Sequence, residues 1–223
     1  EQEAKNLADQ LKYGALPISF SIQSEQQISA TLGAEQLKVG ILTGLIGLLL
    51  VFVYSLFQYR LLGFVTMASL VVAGIISYEA IVLLGWALNY RLSLAGVAGL
   101  IVAIGATADS FIVYFERIRD EIRAGRTIPA AVSHGWKRAS RTILASKAVN
   151  LLAAVVLYVV SVGSVKGFAF TLGLTAIADL VVVYLFTHPA LTLLANTRYF
   201  GEGHRHSGLS PESLGAAPLY RGA

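Results

Sequence analysis

The chain has 223 residues, 56% hydrophobic and 13% charged, with a mean hydropathy of +0.68 and a formal net charge of +4 at pH 7. Soluble domains carry roughly 25% charged residues, so this composition excludes a chain wetted on all sides, and the absence of cysteine excludes disulfides and thiolate metal sites. Recurrent apolar runs of about 20 residues place it among polytopic helical membrane proteins, in which an excess of basic residues marks cytoplasmic loops rather than nucleic-acid binding.

The chain opens on Glu1 and shows no signal peptide, so it is expected to be a fragment of a longer protein. Ala4, Leu7, Ala8 and Leu11 recur at helical spacing before Gly14, and Ile18, Phe20 and Ile22 then alternate with polar residues as in a strand. Residues 1–37 therefore read as the short α/β end of an extracytoplasmic domain. Five apolar segments follow, at 38–58, 62–87, 93–115, 147–163 and 167–194, and define an all-α transmembrane bundle over 38–196. Gly40, Gly44 and Gly47 in the first span predict a close helix contact. Tight links around Gln58–Arg60 and Ser161–Gly167 force antiparallel neighbours.

Orientation follows from the basic residues. Arg117, Arg119, Arg123, Arg126, Lys137, Arg138, Arg141 and Lys147 fall at or beside the 116–146 loop, eight of the chain's 17. That loop and the C-terminus are expected in the cytoplasm, with residues 1–37 outside a cytoplasmic membrane. Inside the loop, Thr127 and Pro129 mark a helix start. Ile128, Val132, Trp136, Ala139 and Ile143 then form an apolar stripe beside basic residues, predicting an interfacial helix along the inner leaflet. The Gly-, Ser- and His-rich tail, 197–223, is expected to be disordered.

Asp109, alone in the third span, is the leading candidate for chemistry, because an ionisable group inside a membrane is costly enough to mark function. Ala95, Ala98, Val102, Gly105 and Ala106 share its helix face, so it is expected in a seam with another helix, either titrating in ion coupling or holding that helix by a hydrogen bond. Asp179, with Thr175 one turn before it, lies at a similar depth in the last span; two nearby carboxylates would raise one pKa and suit a proton carrier. Lys147 and Asn150 open the fourth span, where the lysine either snorkels to the inner headgroups or pairs with Asp109. The run Glu116–Arg123, including Glu116, Arg117 and Arg119, has i, i+3 and i+4 charge pairs expected of a solvated exit helix. His204 and His206 lack further ligands for a metal. With no phosphate-cradling glycine loop, no cofactor, metal or nucleotide-driven step is expected, and the chain is not read as an enzyme.

These motifs, in this order, resemble the SecD family, whose members with SecF assist the Sec protein-export channel. Gly14-Ala15-Leu16-Pro17 and Thr31-Leu32-Gly33 resemble its segment leaving the outer domain, and Tyr59-Arg60-Leu61-Leu62-Gly63 its short inner turn. Asp109 with Phe115-Glu116-Arg117-Ile118-Arg119 resembles its acid and exit signature, and Lys166-Gly167-Phe168-Ala169-Phe170-Thr171-Leu172 matches the start of its last span. The tail, with Thr187-His188-Pro189, is similar to the actinobacterial branch. The resemblance implies an RND-superfamily half-transporter of six spans, of which this chain supplies the second to sixth. It implies pairing with SecF in a pseudosymmetric unit beside the SecYEG channel, and use of the proton motive force on a translocating polypeptide, with Asp109 as the coupling acid. Membrane lipids and no nucleic acid complete the expected partners. The alternatives are a non-transducing scaffold of the translocon and an RND-type exporter of lipids or small molecules. In one departure, many members carry an acid where this chain has Ser146-Lys147-Ala148.

Overall fold

A computed structural model describes residues 2, 30–88 and 90–215; the helix and strand expected before residue 24 lie outside them. Long apolar stretches that must satisfy their own backbone in lipid become helices, and the described residues form no strand. The helices are α1 (Ala30–Tyr59), α2 (Leu62–Leu88), α3 (Leu94–Arg123), α4 (Ile128–Val160) and α5 (Ser164–Val182). A π-helical turn, Val183–Thr187, carries α5 into α6 (His188–Ala195), and one further turn, α7, covers Arg198–Gly201. Five stretches are long and apolar enough to span a bilayer, the last running from Ser164 to Ala195. The protein is thus a multi-pass membrane bundle.

α3, α4 and α5 pack on one another as the centre, with α1 and α2 against them. Small residues bring the backbones close. A Cβ on Gly135 of α4 would lie 3.1 Å from the Ile118 nitrogen of α3, and one on Gly173 of α5 would meet Ala154 of α4 at 3.3 Å. In α1 the expected glycine contact is made by Gly40 alone, against Val97; Gly44 and Gly47 face open space.

Three segments differ from the reading of the sequence. α1 begins at Ala30, so the helix of the first span already runs through residues 30–37. The 116–146 segment is a helical hairpin, in which only residues 124–127 interrupt α3 and α4. Its apolar stripe does not lie on lipid: Ile128, Val132, Ala139 and Ile143 are buried in one core with Phe111, Tyr114, Phe115, Ile118 and Ile122 of α3. A partner helix within reach removes more apolar surface from water than a headgroup layer does. α4 therefore runs unbroken to Val160.

The third difference is the tail. Residues 207–210 are buried, and Leu209, 2% exposed, joins the core beside Leu62. The Arg60 guanidinium donates to the Arg205 carbonyl, and the Leu61 amide donates to the His206 carbonyl at 3.4 Å. Arg60 has φ 54°, a left-handed conformation costly for a side-chain-bearing residue, and the docked tail holds it there. Removing the Leu209 side chain beyond Cβ should cost about 2 kcal/mol, which raises the undocked population about 30-fold. Trypsin should then cut Leu209→Ala after Arg205 far faster than it cuts the unaltered protein.

Candidate functional site

α4 decides where Lys147 points. Ala139, Ile143 and Lys147 follow one another at i+4 on the buried face of this helix, so the lysine continues the stripe that packs on α3. Its side chain is 3% exposed and does not snorkel. The ammonium donates to Asp179 Oδ2 at 2.6 Å and to the Ala106 carbonyl at 2.8 Å. The other carboxylate oxygen of Asp179, a residue 2% exposed, accepts the Thr107 hydroxyl. Three helices thus meet at one buried ion pair. Taking both charges out of water costs several kcal/mol per ion, recovered only when the geometry is good and the remaining hydrogen-bonding positions are filled. Here α3 fills them with a hydroxyl and a carbonyl.

Asp109 stands elsewhere. At about 1.5 Å per residue, both acids lie about 22 Å into their helices, from Leu94 and from Ser164. Depth therefore agrees with one polar layer, but direction does not. Asp109 follows Thr107 by two residues, about 200° around the helix; Thr107 faces Asp179, and Asp109 is exposed on the far side. Ala98, Val102 and Gly105 on the same stripe are exposed too, and a Cβ on Gly105 would meet nothing within 4 Å. The structure brings Lys147 to Asp179 and not to Asp109, and it does not bring the two acids together.

The supporting residues divide similarly. Thr175 is buried but donates to the Thr171 carbonyl at 2.9 Å, bonding its own helix instead of Asp179. Asn150 is half-buried and takes no hydrogen bond in the cluster. In the exit motif, Arg117 is exposed and pairs with Asp120 at 3.6 Å. Arg119 is buried: it donates to Glu116 at 3.1 Å and to the Gln58 carbonyl at 2.6 Å, and stacks over Tyr59 at 4.4 Å. Glu121, also buried, takes Arg126 at 2.7 Å and Arg138 at 3.2 Å. Arg119 and Glu121, two of the six charged residues of the run, therefore staple α3 to α1 and α4 instead of facing solvent.

Sequence reasoning passed over Thr107, whose signal was a hydroxyl in a span two residues from an acid. It also passed over a cluster toward the hairpin end, where Tyr114 and His188 Nδ1 lie 2.8 Å apart and Trp136 stacks on His188 at 4.3 Å. His188 begins α6 just after the π turn, where Pro189 can donate no backbone hydrogen bond and its ring disfavours a regular turn. Thr187 in that turn meets the Ser69 hydroxyl of α2 at 2.9 Å.

A cavity of about 280 Å³ lies between α1, α2, α3 and α5 and is bordered by Asp179. Thr107, Thr175 and Asp179 border it deep in the bundle, and Ser77 and Tyr78 border it on α2.

A family model described as "Protein export membrane protein SecD/SecF, C-terminal" matches residues 10–197. The chain is 55% identical to the protein translocase subunit SecD of Streptomyces coelicolor, over 99% of this chain and 39% of the relative. It is equally similar, at 55%, to that of Mycobacterium tuberculosis, over 90% of this chain and 36% of the relative. Among solved structures, SecDF of Thermus thermophilus, a translocon-associated membrane protein, superposes with a TM-score of 0.70 at 32% identity. That match covers 88% of this chain and 27% of the other. The chain thus spans about two-fifths of the length of these two curated SecD relatives.

Removing one member of the buried pair leaves an uncompensated charge. Lys147→Met should lower the stability of the protein by about 3–5 kcal/mol, while Lys147→Met combined with Asp179→Leu should recover most of that loss. Thermal unfolding of the single and double variants in the same detergent checks the cycle.

Proposed function

The chain belongs to the SecD/SecF family of protein-export membrane proteins, and from that premise we propose that it is the membrane part of a subunit that couples the proton motive force to polypeptide export. It pairs with SecF in a pseudosymmetric unit beside the SecYEG channel, in the cytoplasmic membrane. The hairpin tip around Ala124 and the docked tail lie in the cytoplasm, by the concentration of arginine and lysine there; the Leu92 end lies outside.

The observation that carries this reading is the position of Asp109. An aspartate at the centre of a span costs about 2.5–3.5 kcal/mol even on the more lenient insertion scales, and none of the described residues covers it. Its neighbours are small, so a partner helix can approach closely and offer a hydrogen-bond donor or a cation. Proton binding at that seam changes the charge between the two halves. α3 carries Asp109 on one face and holds the Lys147–Asp179 pair through Thr107 and Ala106 on the other. A shift of α3 is therefore felt at both acids.

Asp109→Asn keeps the shape and removes the titration. In full-length protein assembled with SecF, it should leave complex formation intact and reduce post-translocational export to the level measured without a proton gradient. An unchanged gradient response would remove Asp109 from the mechanism, and loss of the complex would favour a scaffolding role.

A further inference from the structure

A second cavity lies on the lipid-facing side of the bundle, between α4 and α5. It measures about 360 Å³ and shares no bordering residue with the cavity at Asp179. On α4, Leu151, Val155 and Tyr158 follow one another at i+4 and i+3 and so form one stripe. On α5, Phe170, Gly173 and Ile177 do the same. Small residues make the floor: Ala154, Ala169 and Gly173 are buried, and a Cβ on Gly173 would stand 3.3 Å from Ala154. The two helices thus touch at the floor, while Val155, Tyr158 and Ile177 on the walls are exposed. Counted at about 1.5 Å per residue, the groove starts about 3 Å from the Val160 end of α4 and stops about 20 Å from Ser164 on α5.

The rim at the Val160–Ser164 end is aromatic and basic. Tyr90 and Tyr158 both pack on Phe170, with ring centroids 4.4 and 6.3 Å apart, and Trp86 of α2 is 87% exposed. Tyrosine and tryptophan gather at the level of the headgroups, so these rings mark the membrane boundary. Lys166, exposed and two residues into α5, stands at that level with its ammonium 4.6 Å from the centre of the Tyr158 ring. Among the described residues no carboxylate pairs with it, and none borders the groove. The ammonium carries three N–H donors, and an anion at the rim can take them.

We propose that the groove between α4 and α5 is a binding site for an anionic phospholipid, with one acyl chain lying along Ala154 and Gly173 and the phosphate held by Lys166. The depth fits a lipid, because the groove starts at the headgroups and ends inside a hydrocarbon core about 30 Å thick. A transmembrane helix of a partner protein would lie along the whole span, yet the lining covers only about 11 Å of α4 and about 12 Å of α5. The walls are no more apolar than the surrounding lipid tails, so seating a chain here brings no hydrophobic gain. Close contacts hold the chain, and the headgroup decides which lipid is kept. Phosphatidylcholine brings its own cation beside the phosphate and gains little from Lys166. A headgroup of net negative charge gains the attraction of an ammonium that no acid neutralises. This holds whichever face of the membrane the Val160–Ser164 end meets, and it does not depend on the role of Asp109.

The test uses the full-length protein assembled with SecF, stripped of lipid in mild detergent. Native mass spectrometry then counts bound lipid during separate titrations with dioleoylphosphatidylglycerol and dioleoylphosphatidylcholine. Lys166→Gln should weaken one phosphatidylglycerol site about fivefold, the usual worth of one basic side chain at an anionic surface, and leave phosphatidylcholine binding unchanged. Val155→Trp and Ile177→Trp, which fill the groove from its walls, should each remove one bound lipid of either kind. Both positions are about half exposed and lie on different helices, so the two variants report the groove without disturbing its floor. Unchanged phosphatidylglycerol binding in all three variants overturns the site. A loss with the tryptophans but not with Lys166→Gln overturns the choice of headgroup, and the reverse result overturns the groove. Tryptophans that break the complex with SecF make this face a protein interface, which also overturns the proposal.

Discussion

The ion pair between Lys147 and Asp179 is the constraint around which the bundle is arranged. Two charges can lie at the centre of a membrane protein only if good geometry and further hydrogen bonds offset the cost of taking them out of water. Meeting these conditions takes three helices at once: an ammonium from α4, a carboxylate from α5, and a hydroxyl and a carbonyl from α3. The pair therefore fixes the rotation of each of these helices about its own axis. It also sets which way α3 presents its remaining acid, since Thr107 and Asp109 cannot face the same neighbour.

Close packing makes that meeting possible. Gly135 against Ile118 and Gly173 against Ala154 let α4 approach α3 and α5 on either side of Lys147. Lipid supplies no hydrophobic drive between helices, so contact area and hydrogen bonds must hold them together. The hairpin end adds charge-assisted bonds, with Arg119 tied to α1 and Glu121 to α4. The tail closes the α1–α2 turn through Arg60 and Leu209. α3 takes part in the Gly135 contact and in both bonds at the hairpin end, and the same helix carries the exposed acid and the ligands of the buried pair.

The same geometry separates two kinds of intramembrane acid. Asp179 has its counter-ion within the chain and borders a cavity lined mostly by apolar residues. Asp109 has none and faces outward with small residues around it. One is an internal link between helices; the other is a contact that no described residue completes. Both lie at the same depth, so a movement of α3 relates them without their touching.

The family and the membrane class were legible in the sequence because they rest on composition and on ordered local motifs. Apolar runs of membrane-spanning length announce helices whatever they pack against. Asp109 was legible as an acid on a small-residue face, and that face is where the structure leaves it. What a linear reading could not settle was direction. Lys147 looked free to reach the headgroups because it opens an apolar segment, yet it continues the stripe of Ala139 and Ile143, and that stripe turns inward once α3 is there to receive it. The tail looked disordered because it is polar and glycine-rich; Leu209 anchors it by joining the same buried core as Tyr59, Leu62 and Ile122. Sequence alone determined what kinds of groups enter the membrane and at what depth, since depth is a count of residues along a helix. Tertiary structure alone decided which groups meet, because that depends on the rotation of each helix, which only packing against its neighbours fixes.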